Sequence, residues 1–266
     1  MIHETIKLYE GSDATLTSYV HTDSESTIHA PRETILVCPG GGYRSLSGRE
    51  GEPIALAFVA AGFNAYVLKY SVDDKARDYK PLIDASYAMK YIRDNASRHN
   101  SDPDKIYTCG FSAGGHLAGW IGTSWDDPHV PVELRGINRP NGMILSYPVI
   151  TGGEFAHVGS FKHLTGKDDP SMDERESFSL NRLVSDKSCP AFIWHTVADA
   201  TVPVQNSLLM AEAMTSAGIP FELHIFPEGP HGLSLANKET ATANPEMINP
   251  HAEIWMELAV RWVKHF

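Results

Sequence analysis

The sequence predicts an α/β fold: a mostly parallel central sheet with helices on both faces and antiparallel edge strands at its N-terminal end. Three observations predict it. Two strand-like segments at the N-terminus are joined by a short turn. Short apolar runs then alternate with helical segments, which is typical of a parallel sheet. The chain has 266 residues, 42% of them apolar and 21% charged, which is enough for a full core without disulfide or metal support. We interpret residues 1–266 as one domain.

The predicted edge strands cover Thr5–Tyr9 and Ala14–His21, with Gly11-Ser12-Asp13 as the turn between them. The later strands are short apolar runs of the kind that is buried in a parallel sheet. They are Thr34–Cys38, Ala65–Tyr70, Lys105–Cys109, Met143–Val149, Ala191–Thr196 and Phe221–Phe226.

The predicted helices lie between these strands. Pro53–Ala61 ends at Gly62, and a helix from about Val204 stops at Gly218, since glycine often follows a helix. Leu117–Ile121 belongs to another helix. Apolar residues at spacings of 3, 4 and 3 predict an amphipathic helix that contains Leu82, Ala85, Met89 and Ile92. The last helix opens at Asn249-Pro250. It buries Trp255, Leu258, Ala259, Trp262 and Phe266.

The segment at about 150–188 breaks the alternation. It is polar and has no clear strand. We interpret it as an insertion over the carboxyl edge of the sheet, where ligands bind in such folds, and expect it to shape the substrate pocket. The alternative is a long surface loop that contains a helix.

Charge and composition exclude several function classes. The 22 Lys and Arg against 33 Asp and Glu give a net charge of −11, with no basic cluster, which argues against nucleic acid and anionic membrane surfaces as partners. The three cysteines, Cys38, Cys109 and Cys189, have neither disulfide nor zinc spacing and are expected to be buried thiols. The first residues do not resemble a secretory signal, and the longest nearly apolar stretch is too short to cross a bilayer, so a cytoplasmic protein is expected.

The strongest chemical signal is Gly110-Phe111-Ser112-Ala113-Gly114, a Gly-x-Ser-x-Gly motif between a predicted strand and a predicted helix. In this context the serine lies on a cramped turn that lifts its hydroxyl above the sheet. A Cβ at either glycine would collide with neighbouring backbone. Ser112 is therefore the candidate nucleophile.

A serine hydroxyl needs a base, and the chain offers thirteen histidines. His231 follows the last strand, in a loop shaped by two glycines and two prolines, which is where the base of such a site belongs. His195 and His224 lie within strands, and His116 is expected to pack along its helix. His251 and His265 fall in or beside the terminal helix.

The candidate acid is Asp199, which directly follows the preceding strand. A carboxylate there would orient the imidazole and stabilise its charged form. The alternative is a helix N-cap. Asp186 precedes its strand, and Glu228 shares the loop of His231, so both are weaker candidates.

An acyl-transfer site also needs donors for the oxyanion. We assign one to the N–H of Ala113 and the second to Gly41 or Gly42, in the glycine-rich loop after the strand Thr34–Cys38. A phosphate-binding loop fits poorly, because no Gly-Lys follows these glycines.

The chain resembles α/β-hydrolase carboxylesterases related to the hormone-sensitive lipase and acetyl xylan esterase-like enzymes. The resemblance runs from Thr34 to the C-terminus. It rests on Cys-Pro-Gly-Gly-Gly-Tyr at 38–43, Gly-Phe-Ser-Ala-Gly-Gly-His-Leu-Ala at 110–118, Leu-Ser-Tyr-Pro-Val-Ile at 145–150, Trp-His-Thr-x-x-Asp at 194–199 and Gly-Pro-His-Gly at 229–232. It implies an α/β-hydrolase fold and hydrolysis of short acyl esters, with sugar-ester or xylan deacetylation in several members. One departure is Pro39, where the hormone-sensitive lipase group has histidine before its glycines.

The sequence therefore predicts a serine carboxylesterase that acts on small-molecule esters, with short acyl groups expected and without a metal or organic cofactor. Arylformamidase or peptidase chemistry on the same triad stays open. A catalytically silent binding protein is the alternative of another class, and the presence of Ser112, Asp199 and His231 argues against it. The sequence leaves open whether the chain forms a homo-oligomer.

Overall fold

A sheet runs through the centre of the molecule. The computed structural model describes residues 1–22 and 30–265, and within these ranges it forms one sheet of eight strands in the order β1-β2-β4-β3-β5-β6-β7-β8. The strands are β1 (Thr5–Lys7), β2 (Thr15–Tyr19), β3 (Arg32–Cys38), β4 (Asn64–Lys69), β5 (Ser101–Phe111), β6 (Gly142–Ser146), β7 (Ala191–Thr196) and β8 (Phe221–Phe226).

The directions of the strands match the prediction. β1 pairs with β2 and β2 with β4 in antiparallel register, and every other neighbouring pair from β4 to β8 is parallel. The carboxyl ends of β3 and β5 to β8 consequently meet at one edge of the sheet, and the loops that follow them are brought close together.

Helices cover both faces of the sheet. They are α1 (Glu52–Ala60), α2 (Lys80–Asp94), α3 (Ala113–Thr123), α4 (Val158–Thr165), α5 (Met172–Glu176), α6 (Leu180–Leu183), α7 (Gln205–Ala217), α8 (Pro250–Glu253) and α9 (Trp255–His265). The buried side chains form two clusters, one on each face. Leu36 faces the cluster that contains residues of α2, α3 and α7, whereas Ile35 and Val37 face the cluster with α1 and α9. This alternation along a strand is the period of two that places successive side chains on opposite faces.

The bounds of several strands differ from the predicted ones by a few residues; for example, β1 ends at Lys7 and β5 begins at Ser101. Two further elements differ more clearly at their ends. The strand predicted at Met143–Val149 stops at Ser146, because Tyr147 adopts a φ of 36° and leaves the sheet. The terminal helix is two pieces, α8 and α9, with a break at Ile254. Asn249 caps the first piece as predicted, since its side chain accepts hydrogen bonds from the N–H groups of His251 and Ala252. Trp255, Ala259 and Trp262 are buried, Leu258 is half-buried, and Phe266 lies outside the described residues.

The segment 150–188 carries α4, α5 and α6 between β6 and β7. Phe161 and Leu180 are fully buried in the core on the α3 side, so this segment packs onto the sheet domain through apolar anchors. No helix in the described ranges is long and apolar enough to span a membrane. The three cysteines are buried and free, as expected.

Candidate active site

Ser112 lies on the turn between β5 and α3. Its backbone has φ 53° and ψ −118°, a strained conformation for a residue with a side chain. Two hydrogen bonds hold this turn: the Ser112 N–H donates to Ser146 O at 3.0 Å, and the Val149 N–H donates to Ser112 O at 3.0 Å. The end of β6 thereby stabilises the strain and fixes where the hydroxyl points.

The flanking glycines are required by close backbone contacts. A Cβ on Gly110 would lie 2.0 Å from Gly114 O, and a Cβ on Gly114 would lie 2.1 Å from Cys38 O. Both distances are impossible without moving the main chain. The motif therefore folds as a tight turn because these two positions carry no side chain.

The structure brings Ser112 and His231 together from positions 119 residues apart. Ser112 Oγ lies 2.8 Å from His231 Nε2. His231 Nδ1 lies 2.6 Å from Asp199 Oδ2. Because a carboxylate can only accept, Nδ1 carries the ring proton, and Nε2 is the acceptor of the Ser112 hydroxyl. This is the arrangement in which a histidine can act as a base toward a serine hydroxyl while an acid orients the ring.

Asp199 is buried and held by four donors. Its Oδ1 accepts from the N–H groups of Thr201 and Val202, both at 2.9 Å. Burial raises the pKa of the Asp199 carboxyl, but the hydrogen bonds from His195 and His231 outweigh burial and hold its pKa well below the usual range. The N-cap alternative does not describe this residue, since α7 begins at Gln205 and Val204 occupies its N-cap position.

His195 is a partner of Asp199 that sequence reasoning missed. It is fully buried in β7, as expected, and its Nε2 lies 2.9 Å from Val202 O and 3.3 Å from Asp199 Oδ2. Its Nδ1 lies 2.8 Å from Ser207 Oγ. From its position on β7, His195 thus contacts the Asp199 carboxylate on the side that faces the sheet. The spacing of four residues to Asp199 is the signal that could have suggested this contact.

The predicted oxyanion loop follows β3. Gly41 and Gly42 have φ values of +130° and +66°, and a Cβ on Gly41 would lie 2.1 Å from Ser45 O. Among the described residues, no hydrogen bond engages the N–H of Gly41, Gly42 or Ala113. Free N–H groups beside a nucleophile are the donors that a developing oxyanion requires.

Three side chains support this loop. In it Pro39 occupies the position where the hormone-sensitive lipase group has histidine. The Tyr70 hydroxyl donates to Pro39 O at 2.6 Å, and the Gly40 N–H donates to Glu50 Oε2 at 2.9 Å. His116 holds Tyr43, the residue that follows Gly42 in this loop. Its Nε2 lies 2.8 Å from Phe178 O, so Nδ1 accepts from the Tyr43 hydroxyl, also at 2.8 Å. Burial lowers the pKa of His116 to about 4, which keeps the ring neutral.

Glu50 and Tyr147 join the loops that carry the site. The Tyr147 hydroxyl donates to Glu50 Oε1 at 2.7 Å and accepts from the Ser234 N–H at 2.9 Å. The Tyr147 ring also packs edge-on against His231, with centroids 5.1 Å apart. Burial, with the negative charge of Glu50, raises the pKa of Tyr147. One buried network therefore reaches from the oxyanion loop to the histidine loop.

A cleft of about 500 Å³ opens above Ser112. None of the described residues that line it has a purely hydrocarbon side chain. The lining residues are Gly41, Gly42, Arg44, Ser47, Arg49, Glu50, Ser112, His157, Gly159, His163, Thr201, His231 and Gly232. His157, Gly159 and His163 come from the segment 150–188, which thus forms part of the cleft wall.

The remaining candidates lie elsewhere. Asp186 and Glu228 are exposed, and His224 pairs with Glu222 on β8. No group of three or more His, Cys, Asp or Glu within residues 1–22 and 30–265 is arranged to hold a metal ion. Sequence reasoning also missed the roles of Glu50 and Tyr147. Glu50 lies outside the motifs named above, whereas Tyr147 lies within Leu-Ser-Tyr-Pro-Val-Ile at 145–150, directly after β6 at the edge where Ser112 and Asp199 also lie, and this position is the signal that could have pointed to it.

Comparison with known proteins gives consistent results. The family model BD-FAE matches residues 22–142. Endo-1,4-beta-xylanase B of Butyrivibrio fibrisolvens is 42% identical over 84% of this chain, and an acetylxylan esterase of Xylanibacter ruminicola is 34% identical over 74% of it. The chain spans only 35% and 40% of the lengths of these two relatives. The crystal structure of an acetyl ester-xyloside bifunctional hydrolase from Caldicellulosiruptor lactoaceticus superimposes with a TM-score of 0.84 at 37% identity, covering 98% of this chain and 96% of that one.

Proposed function

The chain belongs to the BD-FAE family of α/β-hydrolases, and on this premise we propose that it is a serine carboxylesterase that removes short acyl groups, acetyl above all, from sugars or xylo-oligosaccharides. The observation that carries the proposal is the chain of hydrogen bonds from Ser112 through His231 to Asp199, with distances of 2.8 and 2.6 Å, at the floor of an open cleft.

The geometry supports a two-stage reaction. Ser112 Oγ attacks the ester carbonyl carbon while His231 Nε2 takes the hydroxyl proton. The N–H of Ala113 and that of Gly41 or Gly42 stabilise the oxyanion of the tetrahedral intermediate. His231 then gives the proton to the leaving alkoxide, and the alcohol departs from an acyl-Ser112 ester.

Water completes the cycle. His231 takes a proton from the attacking water, a second tetrahedral intermediate forms, and Ser112 recovers its proton as the carboxylic acid leaves. Asp199 keeps the imidazole in the required tautomer and stabilises its charged form in both stages. Its four donors hold it in the ionised state that this role needs.

The cleft favours a short acyl group on a polar alcohol. Each methylene of an acyl chain gains about 0.8 kcal/mol only where it is buried against apolar surface. No residue of the described cleft lining has a hydrocarbon side chain that could bury a long acyl chain, whereas Arg44, Ser47 and Thr201 offer hydrogen bonds to a polyol. Two similar proteins, an acetylxylan esterase and an acetyl ester-xyloside bifunctional hydrolase, are named for activity on acetyl esters and xylose-based substrates, which supports this preference.

Ester cleavage fits this cleft better than cleavage of a glycosidic bond. Glycosidases commonly use two carboxyl groups that flank the scissile bond. Among the described residues that line the cleft, Glu50 is the one that carries a carboxyl group. Its two oxygens already accept hydrogen bonds from the Gly40 N–H and the Tyr147 hydroxyl. We therefore expect the ester bond of an acetylated xyloside to be the bond that this site cleaves.

A substrate panel tests the proposal. Purified protein is assayed with p-nitrophenyl esters from acetate to octanoate, with acetylated xylose, with an arylformamide and with a p-nitrophenyl xyloside. We expect kcat/KM to be highest for acetate within the p-nitrophenyl series, together with release of acetate from the sugar ester. Preference for the arylformamide would make arylformamidase the better assignment.

A serine-directed fluorophosphonate separates an enzyme from a silent binding protein. Wild type should be labelled and Ser112→Ala should not. Absence of labelling in folded wild type would overturn the catalytic proposal. A cytoplasmic location and the oligomeric state stay predictions, which cell fractionation and light scattering can test.

A further inference from the structure

His157 is the N-cap residue of α4 and lines the same cleft as His231. It is half-buried. Its Cε1 would lie 3.7 Å from a Cβ on Gly42, so the ring edge covers the oxyanion loop. The mechanism above gives this imidazole no role.

The tautomer of His157 follows from its neighbour. Nδ1 lies 2.8 Å from Ser160 Oγ. Ser160 is fully buried, and no other acceptor for its hydroxyl is found in the described parts of the chain. A buried hydroxyl that donated to nothing would be destabilising, so Ser160 donates to Nδ1. The ring proton of the neutral imidazole then lies on Nε2.

The surroundings of His157 favour its neutral form. Burial lowers the pKa of His157 and the nearby positive charge of protonated His231 lowers it further, while the charge of Asp199 acts in the opposite direction. No described residue accepts a hydrogen bond from His157 Nε2, which is a donor without a protein partner at the wall of the cleft.

We propose that His157 Nε2–H donates a hydrogen bond to an oxygen of the sugar part of the substrate, and so selects sugar esters over simple esters. The inference rests on the proposed esterase function. An acetyl group has no acceptor besides its carbonyl oxygen, for which the backbone N–H groups of Ala113 and the Gly41–Gly42 loop are the candidate donors. A further side-chain donor is useful only to an alcohol part that carries additional oxygens. Arg44 and His163 line the same cleft and can also donate to such a substrate.

Two substrates and three variants test the inference. p-Nitrophenyl acetate has no sugar oxygen, whereas an acetylated xylose has several. His157→Phe keeps the ring and removes both nitrogens, and Ser160→Ala keeps the imidazole but frees its tautomer. His129→Phe is the matched control, because His129 is an exposed ring that stacks on Tyr79 at 3.6 Å, a contact that phenylalanine can keep.

For His157→Phe we expect kcat/KM for the sugar ester to fall about tenfold, equal to about 1.4 kcal/mol, with less than about a twofold change for p-nitrophenyl acetate. Ser160→Ala should move the same ratio in the same direction by about two- to threefold, and it tests the inference even if His157→Phe does not fold. His129→Phe should leave the ratio unchanged.

An equal fall on both substrates would mean that His157 serves the acyl-transfer step itself, and it would overturn the inference while the esterase function stands. An unchanged ratio in both His157→Phe and Ser160→Ala would overturn it as well. Wild type that is inactive on both esters would overturn the proposed function and the inference together.

Discussion

Replacing Tyr147 by phenylalanine removes one oxygen atom from the centre of the site. That oxygen donates to Glu50 Oε1 at 2.7 Å and accepts from the Ser234 N–H at 2.9 Å, and all three groups are buried. The aromatic ring remains, so its edge contacts with Trp194 and His231 are kept. The change is therefore almost purely a change in hydrogen bonding.

The magnitude follows from the two lost bonds. Loss of a hydrogen bond costs about 0.5–1.5 kcal/mol, and a buried N–H left without a partner costs about 1–3 kcal/mol. We expect the free energy of unfolding to fall by about 2–5 kcal/mol. For a chain of this size, such a loss lowers Tm by roughly 5–15 °C. Because Ser234 lies three residues after His231 in the same loop, kcat should also fall, by about 10- to 100-fold, through poorer placement of the imidazole.

Calorimetry and ester hydrolysis measure the two effects. Tyr107→Phe is the matched control: Tyr107 is 2% exposed on the adjacent strand β5, and its hydroxyl makes no hydrogen bond with the described residues. A double-mutant cycle with Glu50→Gln should give a coupling free energy of about 0.5–3 kcal/mol. If Tyr147→Phe unfolds at the same temperature as Tyr107→Phe and keeps its kcat, the network does not hold the site together.

Three further outcomes are expected. Ser112→Ala should lower kcat by about 10⁴–10⁶ and leave the circular dichroism spectrum unchanged, and turnover at the wild-type rate would exclude Ser112 as the nucleophile. Gly114→Ala should prevent folding or lower Tm strongly, because its Cβ would lie 2.1 Å from Cys38 O; a stable, active variant would refute the close approach. His116 has a folded pKa of about 4 against an ordinary value of 6.5, so between these values the unfolded chain binds the proton and the folded chain does not. The free energy of unfolding, measured by urea titration, should therefore decrease by up to about 3 kcal/mol as pH falls from 6.5 to 4, and His116→Gln should flatten that decrease.

Most of the fold could be predicted from local patterns. The apolar runs at Ala191–Thr196 and Phe221–Phe226 are strands with the predicted bounds, and Asn249 caps a helix because its side-chain oxygen accepts from N–H groups two and three residues further on. Such features depend on neighbours within a few residues, which the sequence displays directly.

The boundary at Tyr147 could not be predicted in this way. The run Met143–Val149 is mostly apolar, with Ser146 and Pro148 as its exceptions, and it continues the strand pattern past the point where β6 ends. The chain turns there because the Tyr147 hydroxyl reaches Glu50, 97 residues away, and Ser234, 87 residues away. A tertiary contact overrides the local preference.

The roles of the histidines show the same division. Position after the last strand was enough to single out His231, because strand order determines which loops meet at the carboxyl edge. No comparable rule predicts the contact of His195 with Asp199 or the position of His157 on the cleft wall. Each of these contacts depends on where a loop or a short helix lies relative to the sheet. Packing of buried apolar residues such as Phe161 determines that position.

From the amino-acid order alone, the periodicity and the Gly-x-Ser-x-Gly turn specified which side chains would stand at one edge of a parallel sheet, since these signals are short in range. The folded chain decided the rest: a cleft lined by no hydrocarbon side chain in the described residues, a carboxylate held by several donors and a buried network between distant loops. These arise where segments far apart in the chain are packed together, and no local pattern encodes the distance between them.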